Sequence, residues 1–173
     1  MEENITIPKL VLEAIKFACA SHALQRYGED NYYVHLQDVD DILCEFGFTE
    51  AKYRCGGWLH DIIEGTDYSY NNIKKIFGRD VAEIVYLCSD FKGRNRKERK
   101  PAPFYEELKE NKDAIVIKVA DRLANIRRSI KTGHGMSTAY QEEHEKFKSF
   151  LYFEGHIDKM WEEIDILLSF LSK

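Results

Sequence analysis

The stretch from Cys55 to Thr66, CGGWLHDIIEGT, constrains this chain more than any other. It reads as a buried helix, yet it carries His60 and Asp61 side by side and Glu64 one turn on, where a core would take leucines. On a continuous helix His60 and Glu64 stand at i and i+4, and Asp61 and Glu64 at i and i+3, so all three edge one cavity. An ionised carboxylate buried without a partner is costly, and a metal ion is the simplest compensating cation. A fold built on this stretch must wrap other helices around a polar centre.

The rest of the chain supplies those helices. Leu10, Ala14, Phe17, Ala18 and Leu24 recur at helical spacing over 8–27, and the His22, Gln25 and Arg26 end of that segment reads as a solvated helix terminus. Further helices are predicted over 36–46, closed by Gly47, and over 49–64 with Thr49 as N-cap. Gly56 and Gly57 inside the latter each cost about 1 kcal/mol relative to alanine, which points to close approach of another backbone. Segments 69–77 (closed by Gly78), 80–88, 111–131, 136–153 and 157–171 complete the set. Neither strand alternation nor an internal repeat is visible, so the expected fold is all-α, with residues 1–173 forming a single helical bundle around a central metal site.

Composition narrows the partners. A net charge of −5 argues against a surface made for long nucleic acid, while leaving room for a local basic patch. That patch is the loop 91–103, where Lys92, Arg94, Arg96, Lys97, Arg99 and Lys100 lie among Gly93, Pro101 and Pro103; it reads as a phosphate-gripping loop. Cys19, Cys44, Cys55 and Cys88 are scattered without metal-ligand spacing and read as free thiols. The first residues lack a basic region and no apolar run nears the ~20 residues of a membrane span, so a cytoplasmic protein without membrane contact is expected. The oligomeric state is left open, a homo-oligomer included.

On the helix over 111–131, Lys118, Asp121, Arg122, Asn125 and Arg128 form a polar stripe too narrow for a surface helix, and therefore one that lines a cavity. Arg127 fits neither face. On the helix over 136–153, Tyr140, Glu143 and His144 face either the cavity or solvent. His35, His60, Asp61 and Asp121 make a mixed nitrogen and oxygen ligand set. It suits manganese or another six-coordinate divalent ion, with iron, cobalt, nickel, zinc and magnesium as alternatives, better than closed structural zinc.

In that order and spacing, His35, His60-Asp61 and Asp121 resemble the H…HD…D pattern of the HD superfamily of metal-dependent phosphohydrolases. The blocks His22-x-x-Gln25-Arg26, Tyr32-x-x-His35, Leu59-His60-Asp61-Ile-Ile-Glu64, Phe77-Gly78 and Ile117-Lys118-Val-Ala120-Asp121-Arg122-Leu123-x-Asn125 are similar to the hydrolase domains of RelA/SpoT-type and small alarmone hydrolases. The resemblance covers most of the chain from the first helix to Asn125. It implies one divalent ion, commonly manganese, and removal of the 3′-pyrophosphate of (p)ppGpp by a metal-activated water. It further implies Glu64 near the attacking water, Arg26 near the base, and Lys118 and Asn125 near the nucleotide. Glu64, Asp61 and Lys118 are thus the expected catalytic residues, and Arg26, Asn125, Arg122 and Tyr140, with Lys92, Arg94 and Arg96 of the basic loop, the expected nucleotide contacts. Two positions depart from the pattern: Gly65 stands where an aspartate usually follows the glutamate, and Leu36 where a proline usually follows the first histidine. Gly65 keeps two alternatives open, a nucleotide phosphomonoesterase and a catalytically weak module that binds a nucleotide.

Overall fold

The computed structural model describes residues 7–133 and 137–171. Helix α1 (Lys9–Ser21) starts behind Pro8 and ends sooner than its apolar spacing predicts. The residues after it turn instead into a small hairpin, β1 (Arg26–Tyr27) antiparallel to β2 (Asp30–Asn31), around Gly28. Strands of two residues leave no alternation for a sequence pattern to reveal. The hairpin delivers the chain directly into α2 (Tyr33–Glu45), whose early start puts His35 in the first turn.

Next come α3 (Ala51–Leu59), capped by Glu50 rather than Thr49, the single turn α4 (Ile62–Gly65) and α5 (Tyr70–Phe77). Ser69 and Asn72 cap α5 reciprocally, satisfying backbone N–H groups that a helix start leaves open. Gly78, at φ 91°, ends α5 and opens α6 (Arg79–Cys88), a backbone angle that an L side chain resists. The basic stretch is not all loop. Asn95 caps a one-turn helix, α7 (Arg96–Arg99), and α8 (Ala102–Leu108) follows Pro101. The remaining helices are α9 (Lys112–Thr132), α10 (Ser137–Leu151) and α11 (Asp158–Leu171). The predicted start of α10 at Met136 lies outside the described residues.

The all-α architecture is centred on α9, which packs against α2, α3, α6, α10 and α11. Ile115, Val116, Ile117, Val119, Ala120 and Leu123 are fully buried along it and join Leu43, Leu108, Phe147 and Trp161 in one core cluster. A second cluster joins α1, α3, α5 and α6 through Val11, Leu59, Ile73 and Val85. At about 1.5–3 kcal/mol for each large apolar side chain, these clusters hold the polar centre in place between them.

Gly56 and Gly57 explain how α3 enters this packing. A Cβ on Gly57 would lie 2.7 Å from Leu43 Cδ1, and one on Gly56 would lie 3.0 Å from Ile84 Cγ2 and 3.1 Å from Ile117 Cγ1. The close approach is therefore mainly by side chains of α2, α6 and α9, not by another backbone. Arg127, unplaced by sequence, bonds Glu163 at 2.7 Å and Glu45 at 2.7 Å, tying α9 to α11 and α2. The four cysteines are free, and burial pushes the Cys55 and Cys88 thiols up to about 12, which makes them poor nucleophiles. Among the described residues no helix is long and apolar enough to cross a membrane.

Candidate metal centre

The centre begins with a break in the backbone. The sequence predicts one helix through Glu64, but α3 stops at Leu59 and Asp61 sits at φ −97°, ψ 1° before α4 resumes. His60 Nδ1 lies 2.8 Å from the Gly57 carbonyl, competing for the acceptor that a continuous helix would give to the Asp61 N–H. This bond also sets the ring: Nδ1–H donates to the carbonyl, so the Nε2 lone pair faces inward.

His35, from α2, and Asp121, from α9, meet that lone pair. His35 Nε2 is 3.3 Å from His60 Nε2 and 3.3 Å from Asp121 Oδ1, and His60 Nε2 is 3.8 Å from the same oxygen. Asp61 Oδ2 lies 3.1 Å from His60 Nε2 and 3.7 Å from His35 Nε2. Ligand bonds of about 2.1 Å put adjacent donors of an octahedral ion about 3 Å apart, so the His35, His60 and Asp121 separations fit one divalent ion, with Asp61 next to it. Burial opposes charge on His60, but Asp61 and Asp121 outweigh it and push the imidazole up to about 9. Burial likewise opposes charge on both carboxylates, and the two imidazoles nonetheless hold them well below the usual range. The cluster attracts positive charge, whether a proton or a metal.

Outer partners hold the ligands. Tyr32 donates its hydroxyl to Asp61 Oδ2 at 2.5 Å, Asn125 donates Nδ2–H to Asp121 Oδ1 at 2.6 Å, and Tyr27 donates its hydroxyl to Asn125 Oδ1 at 2.7 Å. Asn125 thus touches a ligand as well as the cavity. That cavity, about 720 Å³, is lined in part by Tyr27, Asp30, Asn125, Arg128, Lys131 and Tyr140.

Both carboxylate oxygens of Glu64 have partners. Its Oε2 accepts the Asp90 N–H at 3.1 Å, and its Oε1 is 3.5 Å from Arg99 Nη1. Burial and then the Asp90 charge raise its pKa. Asp90 is the hub of this second cluster: Lys118 Nζ is 3.3 Å and Lys100 Nζ 3.4 Å from its Oδ1, and Lys118 also donates to the Cys88 carbonyl at 2.8 Å. Burial, followed by repulsion from Lys118, pushes Lys100 down to about 8. Nearby, Arg96 and Arg122 share Glu143, at 2.5 Å and 3.2 Å, and the Arg122 guanidinium lies 4.6 Å from the Tyr140 ring and 4.2 Å from that of Phe147.

The predicted residues therefore fall into groups. His35, His60 and Asp121 converge on one point with Asp61 beside His60, Lys118, Arg122 and Tyr140 are buried, and Arg96 is half-buried. Arg26 is exposed and bonds Asn31, Arg94 is exposed and bonds Glu98, and Lys92 is exposed. Tyr140 lines the cavity, Glu143 pairs with Arg96 and Arg122, and His144 bonds Asp165 at 2.6 Å. Sequence reasoning missed Tyr27 and Asp90 as parts of the centre, and it placed Lys100 in the basic loop and Tyr32 in a motif block without their partners. Only the position of Tyr32, one turn before His35, offered a signal.

The HD-domain sequence profile matches residues 14–147, a span that includes His35, His60, Asp61 and Asp121. The chain belongs to the HD-domain family. Its relatives include guanosine-3′,5′-bis(diphosphate) 3′-pyrophosphohydrolase MESH1 of Drosophila melanogaster, 33% identical over 67% of this chain and 67% of that protein. The MESH1 protein of Homo sapiens is 31% identical over 68% of each chain. A solved metazoan ortholog of SpoT that hydrolyses ppGpp superposes with a TM-score of 0.80 at 27% identity, over 95% of this chain and 97% of that one. This HD domain is a phosphohydrolase, and its family implies a divalent ion, for which the His35, His60 and Asp121 cluster is the candidate site.

Proposed function

We propose that the protein is a manganese-dependent 3′-pyrophosphohydrolase of (p)ppGpp. The observation that carries this reading is the convergence of His35, His60 and Asp121 ligand atoms within 4.8 Å of one another, with Asp61 Oδ2 3.1 Å from His60 Nε2, in a chain similar to MESH1 proteins over two thirds of its length. His35, His60, Asp61 and Asp121 would hold the ion, whose chemistry would be to acidify water and polarise a phosphoryl oxygen. Glu64 orients or deprotonates the water; its raised pKa suits a group that must take up a proton. Lys118 offsets negative charge that builds on the phosphates, and Arg96, Arg122, Asn125 and Tyr140 hold the nucleotide, with Arg26 near its base. Lys92 and Arg94, facing solvent, act on the substrate only at long range.

The test is turnover of ppGpp by purified protein with manganese, with products identified. Pyrophosphate together with GDP is the expected result, and a chelator should abolish it. Phosphate as the only anion released would replace this reading with a nucleotide phosphomonoesterase. Binding without turnover would replace it with the nucleotide-binding module that Gly65 leaves open.

A further inference from the structure

The slot beside Gly65 holds a buried group that the functions above leave unused. His22 is 2% exposed, and among the described residues its Nε2 has no hydrogen-bond partner. Its Nδ1 lies 2.9 Å from Gln25 Oε1, while Gln25 Nε2–H donates to the Gly65 carbonyl at 2.7 Å. The orientation of the amide follows from that second bond, since a reversed amide would set two oxygens against each other. Gln25 Oε1 must then accept, so His22 Nδ1 carries the hydrogen and the neutral ring presents a bare lone pair at Nε2.

Leaving such a lone pair buried and unmatched costs about 1–3 kcal/mol, which makes it a place to look for a ligand. The ring is well fixed. It stacks on Tyr32 at 4.9 Å between centroids, and Tyr32 reaches Asp61. Its Cε1 would lie 3.3 Å from a Cβ at position 65, in the one turn that also carries Asp61 and Glu64 and is closed by the Gly65 N–H to the Asp61 carbonyl at 2.8 Å. With no side chain at 65, that position puts nothing over the ring edge, although the surrounding residues close it to bulk solvent.

We propose that His22 is a second proton acceptor of this site, its Nε2 receiving a hydrogen from the attacking water. This rests on the phosphohydrolase reading. In the step, the water loses one proton to Nε2 as its oxygen bonds phosphorus. The bond from phosphorus to the leaving oxygen breaks with its electron pair, that oxygen takes a proton from solvent, and the imidazolium returns its own to solvent. Gln25 and the Gly65 carbonyl are positioning groups, because they fix the tautomer.

Two measurements test it. In kinetics on ppGpp with manganese, His22→Ala should lower kcat about 10²-fold or more, the scale of a lost acid–base group, with KM within about threefold and metal content unchanged. Adding Gly65→Asp to His22→Ala should recover about tenfold of the loss, because the truncation makes room for a carboxylate in the same slot. A His22→Ala kcat within twofold of the parent, or no recovery in the double variant, would overturn the proposal. Nitrogen NMR of the imidazoles in the intact protein gives a readout that does not need turnover. A hydrogen on Nδ1 and a bare Nε2 in His22, lost in Gln25→Leu, is expected, and a hydrogen on Nε2 at neutral pH overturns the assignment. A parent protein inactive on every nucleotide would sink the proposed function, and the NMR result alone would then decide the role of His22.

Discussion

Two polar clusters lie side by side in this protein and are built to opposite charge rules. Around His35 and His60, two carboxylates meet two imidazoles with no lysine or arginine ion-paired to them among the described residues, and the set draws in a cation. Around Asp90 and Glu143 the ratio is reversed: Lys100 and Lys118 share one carboxylate, and Arg96 and Arg122 share the other. A buried charge is stable only when matched, so the first cluster calls for a metal and the second for an anion. Their adjacency teaches that one polar centre can offer a cation-attracting face and an anion-attracting face at once.

Removing a ligand should break the comparison outright. Asp121→Ala leaves two imidazoles facing Asp61, and we expect loss of bound metal with a fall of about 10³-fold or more in kcat/KM, checked by metal analysis beside turnover. Retained metal at full occupancy would show that the first cluster is not the metal site. Lys118→Met tests the second cluster. The remaining Lys100 still matches Asp90, so the melting temperature should change little, while kcat/KM falls about 10²-fold because the anion loses a buried cation. Unfolding of this variant would instead make Lys118 a structural ion-pair partner.

A smaller effect follows from Lys100. Its folded pKa, pushed down to about 8 from 10.5, means that the folded protein sheds this proton before the unfolded chain does. Lys100 therefore weakens the fold below about pH 8, and stability rises relative to a Lys100→Met variant as pH climbs from about 8 toward 10.5. Denaturant titrations of both proteins across that range measure the difference, and parallel curves would remove Lys100 from the buried cluster. The smallest effect belongs to the outward cations: Lys92→Ala with Arg94→Ala should change kcat/KM by less than about twofold at physiological salt. A loss of tenfold would mean that the loop folds inward on substrate.

Helical spacing, the ligand types and the order of the motif blocks were legible in the chain itself. The apolar period of α9 is local, and so is the polar stripe that named Lys118, Asp121, Arg122 and Asn125. His35, His60, Asp61 and Asp121 were also readable, because imidazoles and carboxylates set among leucines and isoleucines need compensation wherever the chain puts them. What the tertiary structure alone decided was direction and pairing. At the break after Leu59 one imidazole reaches back to Gly57, and Glu64 finds its partners in Asp90 and Arg99, both remote in sequence. Within one basic stretch, Arg96 and Lys100 turn inward while Lys92 and Arg94 face water, since Glu143 and Asp90, remote in sequence, supply the matching charge. Sequence determines which groups need partners through local period and chemistry, but the partners are set by long-range packing, which no local pattern encodes.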